Sequence, residues 1–131
     1  MFVDASAWTA IILKEPERER LRTTLADAEL VLTSSIATWE TIRAVVRETK
    51  DTVKDASIRL AALQANIGAR VVEIGVVEGQ LALEAHARFG KGVHPARLNM
   101  GDCFAYACAK VHGVPLLYKG EDFALTDIEA A

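Results

Sequence analysis

Histidine and cysteine are both scarce in this 131-residue chain. The three histidines, His86, His94 and His112, share no spacing that unites them, which disfavours chemistry run by paired imidazoles. The two cysteines, Cys103 and Cys108, are five apart in a segment with helical periodicity. On a helix their side chains point about 140° apart and cannot bridge. Free thiols of this kind suit a reducing cytoplasm, the expected location. No apolar run approaches the ~20 residues that a membrane span needs, so no membrane role is expected. The opening MFVD is followed by neither a basic leader nor a small-residue cleavage pattern, and it is expected to belong to the mature fold. Basic residues are also in the minority, 15 against 18 acidic, for a net charge of −3. That balance argues against a general electrostatic hold on nucleic acid and leaves room only for a local basic surface. Repeats, low-complexity tracts and linkers are absent, so residues 1–131 are expected to form one domain.

Short β-branched or apolar runs alternate instead with longer helical patterns. Met1 to Val3 reads as a strand, and Ala5 to Leu13 as a helix. Pro16 fits the first turn of a second helix, whose Leu21, Leu25 and Ala28 recur on one face. Leu30 to Thr33 is a second strand. Ser35 is placed to cap a helix running to about Thr49, and a fourth helix, about Asp51 to Asn66, stops at Gly68. Arg70 to Ile74 is a third strand, followed by a helix over about Val77 to Phe89. The loop GKGVHPARL leads into a helix from about Met100 to His112, stopped by Gly113. Val114 to Tyr118 is a fourth strand, and the tail is expected to add an edge strand around Ile128. Strands separated by helices imply a mostly parallel central sheet covered on both faces, a three-layer α/β/α domain. In such sheets ligands bind beyond the carboxyl ends of the strands.

Asp4 is the first residue past strand one, on that edge. Three further acids compete between a plain and a functional reading. Glu40, in SSIATWETIRAVVRE, shares a helix face with Ile36, Arg43 and Arg47, and an exposed pair with Arg43 explains the pattern as well as a site does. Asp102, in RLNMGDCFAYACAK, stands three residues after Asn99, where it can complete a capping box. Its helix has almost no polar face before Lys110, so it projects toward protein and needs a partner. Asp122, in LLYKGEDFALTD, follows strand four in a glycine-containing turn that by itself favours Asp. If the four converge, their repulsion calls for a cation, and a hard divalent ion such as Mg²⁺ or Mn²⁺ suits carboxylate oxygen. Four unrelated surface acids would show the same spacing.

Together VDASA, Glu40 within TWETIRAVVRE, HPARLNMGDCFAYACAK and LLYKGEDFALTDI resemble the PIN-domain family, specifically the VapC-type toxins of bacterial toxin–antitoxin pairs. The resemblance spans Phe2 to Ile128. It implies an α/β/α PIN-like fold and a Mg²⁺- or Mn²⁺-dependent endoribonuclease, with Asp4, Glu40, Asp102 and Asp122 matching the family's acidic, metal-holding cluster. It also implies a homodimer, silenced by a small antitoxin protein whose tail enters the acidic cleft, with RNA as substrate. The chain departs from the family at Glu121, where Asn is more usual, which adds a charge beside Asp122.

Smaller expectations surround the acids. Ser6 is placed to hydrogen-bond to the carboxylate cluster or to helix backbone. Arg43, Arg47, Lys91, His94 and Arg97 are candidates for phosphate contacts, against a default of solvated charge. Trp8 and Trp39 stand near the acids, to stack a base or to fill a core or dimer interface. Ile42 and Val46, with Trp39, suggest apolar surface beyond what one core hides, in keeping with a dimer. Two other functions compete. A catalytically silent metal- or RNA-binding module would keep all four acids. A phosphoryl-receiver domain, with Lys119 and Thr126 as its Lys and hydroxyl, fits poorly because Glu73 is followed by Ile74 and Gly75 where a phosphoacceptor would stand.

Overall fold

The computed structural model describes residues 1–131. Four short strands form one sheet: β1 (Phe2–Val3), β2 (Leu32–Ser34), β3 (Arg70–Val72) and β4 (Leu116–Leu117). Six helices connect and cover them: α1 (Ala5–Ile12), α2 (Arg18–Ala26), α3 (Ser35–Glu48), α4 (Val53–Ile67), α5 (Val76–Phe89) and α6 (Met100–His112), with a 3₁₀ turn at Phe123–Leu125. The strand order is β3-β2-β1-β4 and every pairing is parallel. The chain therefore steps outward from β1 to β2 to β3, then crosses back to lay β4 on the other side of β1. Strand order reverses at β1, and in open parallel sheets the crevice at such a reversal is where ligands bind.

The two-residue period of a strand divides the core in two. Phe2 and Leu116 point to one face, where they join Phe89, Leu98, Tyr106 and the small residues of α5 and α6. Val3 and Leu117 point to the other, where they meet Trp8, Ile11, Leu21, Leu25, Val45 and Leu60 from α1 to α4. Each face is thus sealed by helices, giving the three expected layers. No helix is long and apolar enough to cross a membrane. Both cysteines are buried and free, as their helical spacing requires.

Where boundaries differ from the sequence reading, local chemistry explains it. The cap of α3 is Ser34, not Ser35: the Ser34 hydroxyl accepts from Ala37 N–H at 3.1 Å, and Ser35 is the first helical residue. Thr52 and Asp55 form a capping box that starts α4 later than Asp51, and Gly68 ends it with φ +72°. Pro16 lies in the turn before α2, which begins only at Arg18. The tail forms no strand at Ile128. It reaches the open edge of β4 through a single parallel bridge between Leu116 and Ala130, with Leu116 N–H donating to Glu129 O at 2.8 Å. Ile42 and Val46, the expected surplus surface, are packed against the chain's own core.

Candidate active site

Three of the four acids are brought together where the strand order reverses. Asp4 follows β1 and is the N-cap of α1, so the end of a buried strand fixes its backbone and leaves the carboxylate facing the crevice. Its N–H donates to Leu117 O at 2.9 Å, tying it to the end of β4. Glu40 comes from the second turn of α3, and Asp102 from the first turn of α6. Asp4, Glu40 and Asp102 all line one open cavity of about 400 Å³, together with Ser6, Thr9, Glu15, Arg43, Arg47, Asn99 and Lys119.

Each carboxylate is held differently. Asp4 is 3% exposed, and its Oδ2 accepts from both the Ser6 N–H at 2.8 Å and the Ser6 hydroxyl at 2.6 Å. The Ser6 hydroxyl oxygen in turn accepts from the Lys119 N–H at 3.0 Å. The Ser6 hydroxyl thus makes the expected contact with the cluster, and the backbone it meets is that of Lys119 after β4 rather than its own helix. Asp102 completes the capping box foreseen with Asn99: its Oδ2 accepts from Asn99 N–H at 2.8 Å, and Asn99 Oδ1 accepts from Asp102 N–H at 3.0 Å. Glu40 forms no ion pair with Arg43; its carboxylate occupies the space where a side chain on Gly101 would begin.

These carboxylates are costly to ionise together. Burial raises the pKa of Asp4, with the charge of Asp122 adding to the effect and the Ser6 hydrogen bonds opposing it. Glu40 is raised by burial and by the charge of Asp4, offset in part by Arg43. Asp102 is pushed up to about 7, first by burial and then by the charges of Asp4, Glu40 and Asp122, against the lowering effect of the Asn99 backbone bond. Titratable groups perturbed by one another in a cleft are a mark of functional sites.

Asp122 is placed differently from the other three. It lies beyond Tyr118 to Glu121 rather than directly after β4, is exposed, and does not line the cavity. Its charge nevertheless acts on both Asp4 and Asp102, which puts it at the rim. As the side chains stand, no three acids are close enough to share one ion, so joint ligation requires them to turn inward about their side-chain torsions.

Sequence reasoning did not foresee Thr9 or Glu15 on the cavity wall, and read Lys119 only as the lysine of a phosphoryl receiver. Lys119 pairs through Nζ with Glu15 and, at 3.7 Å, with Glu17, closing one side of the cavity across the β4–α1 boundary. The KEPE turn after α1 was the available signal, but its partner is more than a hundred residues away in sequence. Lys119 is therefore engaged away from any acceptor carboxylate at β3, and the phosphoryl-receiver arrangement is not assembled. Lys91, His94 and Arg97 line a separate shallow depression, not the acidic cavity. Trp8 is fully buried, with its indole N–H donating to Thr33 Oγ1 at 3.1 Å, whereas Trp39 is exposed.

Comparison with known proteins agrees with this fold. A family model described as PIN domain matches residues 1–129. The chain is 39% identical to a VapC ribonuclease of Rhizobium meliloti, covering 97% of this chain and 98% of that protein. It is likewise 39% identical to the ribonuclease VapC of Mycolicibacterium smegmatis, over 99% and 98% of the two chains. In structure it is similar to Mycobacterium tuberculosis VapC20, a toxin described as cleaving the sarcin-ricin loop. That match has a TM-score of 0.79 at 21% identity, covering 99% of this chain and 97% of the other, a likeness of fold.

Proposed function

This chain belongs to the PIN-domain family, and from that premise we propose that it is the toxin of a toxin–antitoxin pair, a divalent-metal-dependent endoribonuclease. The observation that carries the reading is the convergence of Asp4, Glu40 and Asp102 on one cavity at the sheet's reversal point, with Asp122 at its rim. The relatives named as VapC ribonucleases support the substrate class.

The donor set fits Mg²⁺ or Mn²⁺. All donors are hard carboxylate oxygens, they raise one another's pKa in the absence of a cation, and the Glu40 carboxylate has no partner within the protein. Asp4 and Asp102 would hold the ion, with Glu40 and Asp122 orienting water or assisting a second ion. When bound, such an ion lowers the pKa of water and offsets the charge that builds on a scissile phosphate. The chain's own residues supply the rest. Ser6 opposes the burial-driven rise in the pKa of Asp4 and holds its carboxylate in place by donating two hydrogen bonds to one oxygen. The Asn99 box fixes the backbone from which Asp102 projects, and Gly101 leaves room for Glu40 beside it. Arg43 and Arg47 set positive charge on the wall of an otherwise acidic cavity, where an anionic substrate must enter.

A small antitoxin inserting into the acidic cleft and a homodimer complete the reading. Exposed Val76, Val77 and Leu83 on α5 and Met100 on α6 leave apolar surface for such partners. The deciding experiment incubates the antitoxin-free protein with total RNA in Mg²⁺, in Mn²⁺ and in chelator, and maps the cut ends. Endonucleolytic products with 5′-phosphates, abolished by chelator, are expected, because water rather than the neighbouring 2′-hydroxyl is the nucleophile. Undiminished cleavage in chelator, or 2′,3′-cyclic phosphate ends, would overturn the mechanism. Binding of metal and RNA without any cleavage would identify the silent module instead.

A further inference from the structure

We propose that Trp39, Arg43 and Arg47 form a subsite for single-stranded RNA beside the cleavage position, one base stacking on the indole while adjoining phosphates meet the two guanidinium groups. The proposal rests on the ribonuclease reading and names how the strand is held.

The first observation is the contrast between the two tryptophans. Trp8 is 0% exposed and serves the core, whereas Trp39 is 54% exposed, one residue before Glu40 and beside Arg43, which lines the acidic cavity. No other aromatic ring of the fold packs on Trp39. Arg43 stacks on it, with its guanidinium carbon 4.7 Å from the ring centroid. A guanidinium covers one face of an indole and fixes its orientation by cation–π attraction, which leaves a positioned aromatic surface rather than a loose one.

The second observation is the row these residues make. Trp39, Arg43 and Arg47 stand four apart on α3, so they follow one another along the same helix face at about 6 Å per step. Arg43 and Arg47 line the carboxylate cavity, and Trp39 continues their row by one further turn of α3, outside the residues that line it. The third cation of the cavity, Lys119, is committed to Glu15 and Glu17. Arg43 has no carboxylate within ion-pair distance, and Arg47 pairs only with its exposed neighbour Glu48. A cavity lined by acids repels a polyanion, and a chain of net charge −3 supplies no general attraction. The α3 row therefore offers Arg43, which has no ion-pair partner, and Arg47, held only by an exposed neighbour, to a phosphodiester strand next to those acids, and its aromatic end offers a face on which a base can stack. Stacking tolerates any base, so the subsite grips the strand without reading its sequence.

The test uses a short fluorescein-labelled oligouridylate and the full chain in chelator, so that binding is read without cleavage. Trp39→Ala should weaken binding by about tenfold, whereas Trp39→Phe should stay within about threefold, because an aromatic face is retained. Arg43→Ala should lower the steepness of the salt dependence by about one contact, which Trp39→Ala should not. Since Trp8 is buried, intrinsic fluorescence should be quenched by unlabelled oligouridylate in wild type and not in Trp39→Phe. Equal binding by wild type and Trp39→Ala would overturn the proposal. So would a Trp39 shielded from acrylamide before RNA is added, accompanied by loss of self-association in Trp39→Ala; that result would assign the indole to an interface between two copies. Failure of the ribonuclease reading looks different: wild type would bind the oligouridylate through Trp39 yet leave total RNA intact in Mn²⁺.

Discussion

Ser6 directs two donors, its backbone N–H at 2.8 Å and its hydroxyl at 2.6 Å, at the same oxygen of Asp4. This doubly bonded oxygen belongs to the most buried acid of the site, whose surroundings disfavour its charge and whose Ser6 bonds offset part of that effect. Ser6→Ala keeps the N–H and removes the hydroxyl. It also strips the Lys119 N–H of its acceptor. We expect stability to fall by about 1 kcal/mol and cleavage, or apparent Mn²⁺ affinity, to fall by about tenfold to a hundredfold. Chemical denaturation beside a metal titration of cleavage checks it. A variant as active as wild type at limiting Mn²⁺ would show that Asp4 needs no such support.

Gly101 provides a test that separates position from stability. A Cβ there would enter the space of the Glu40 carboxylate, and the φ of Gly101 is not in the left-handed region, so alanine fits the backbone. Glycine-to-alanine changes within helices ordinarily stabilise by up to about 1 kcal/mol. Glu40 sits at the end of a flexible side chain and can swing aside. Gly101→Ala should therefore fold at least as well as wild type and cut RNA much more slowly. In a Glu40→Ala background the same change should raise the melting temperature with no further loss of cleavage. A variant that melts well below wild type would instead mean that the helix itself cannot accommodate the methyl group.

These two relationships also mark what a one-dimensional pattern reveals. Asp4 was legible because a buried strand ended on it, and Asp102 because its helix had no other polar face on which to place an acid. Gly68 and Gly113 announced helix ends, and both adopt positive φ. The long-range partners were not legible. Nothing in KEPE indicates that Glu15 will meet Lys119, since that contact exists only after β4 is laid beside β1. The sequence treated the two tryptophans alike and favoured packing for both; Trp8 is buried by the packing of α1 against the sheet, whereas Trp39 stays exposed. Asp122 was expected directly after β4, but Tyr118 to Glu121 separate it from the strand, and it lies exposed outside the cavity lining.

The elevated pKa of Asp102, about 7, makes the metal-free protein sensitive to pH in a defined direction. Between its ordinary value of 3.8 and about 7, the folded state binds more protons at this site than the unfolded state does. Stability contributed by Asp102 is therefore fully present below about pH 4 and is lost as pH rises through 7. Asp102→Asn removes this slope. Denaturation in chelator at several pH values between 4 and 8 should show wild type losing stability relative to Asp102→Asn as pH rises. Parallel curves would mean that Asp102 is not placed among charges as the structure shows.

The last prediction asks whether the acids act as one metal site, without needing the right RNA. Asp4→Asn keeps the shape of the side chain and removes a charge that also burdens Glu40 and Asp102. In chelator this variant should melt at or above the wild-type temperature, because relief of repulsion offsets the weaker hydrogen bonds from Ser6. Millimolar Mn²⁺ should raise the wild-type midpoint and barely move that of Asp4→Asn, since a ligand stabilises only the fold that binds it. Asp102→Asn should lose the Mn²⁺ shift too, but its metal-free midpoint has a second contribution. The carboxylate completes the cap of α6, and weakening that cap costs up to about 1 kcal/mol. Asp122→Asn, at the rim, should keep most of the Mn²⁺ shift while raising the metal-free midpoint slightly. Four independent acids would give equal Mn²⁺ shifts in wild type and all three variants. Thermal unfolding of the four proteins, each with chelator and with Mn²⁺, therefore discriminates a shared site from a coincidence of spacing, and ranks Asp122 against Asp4 and Asp102 in the same measurement.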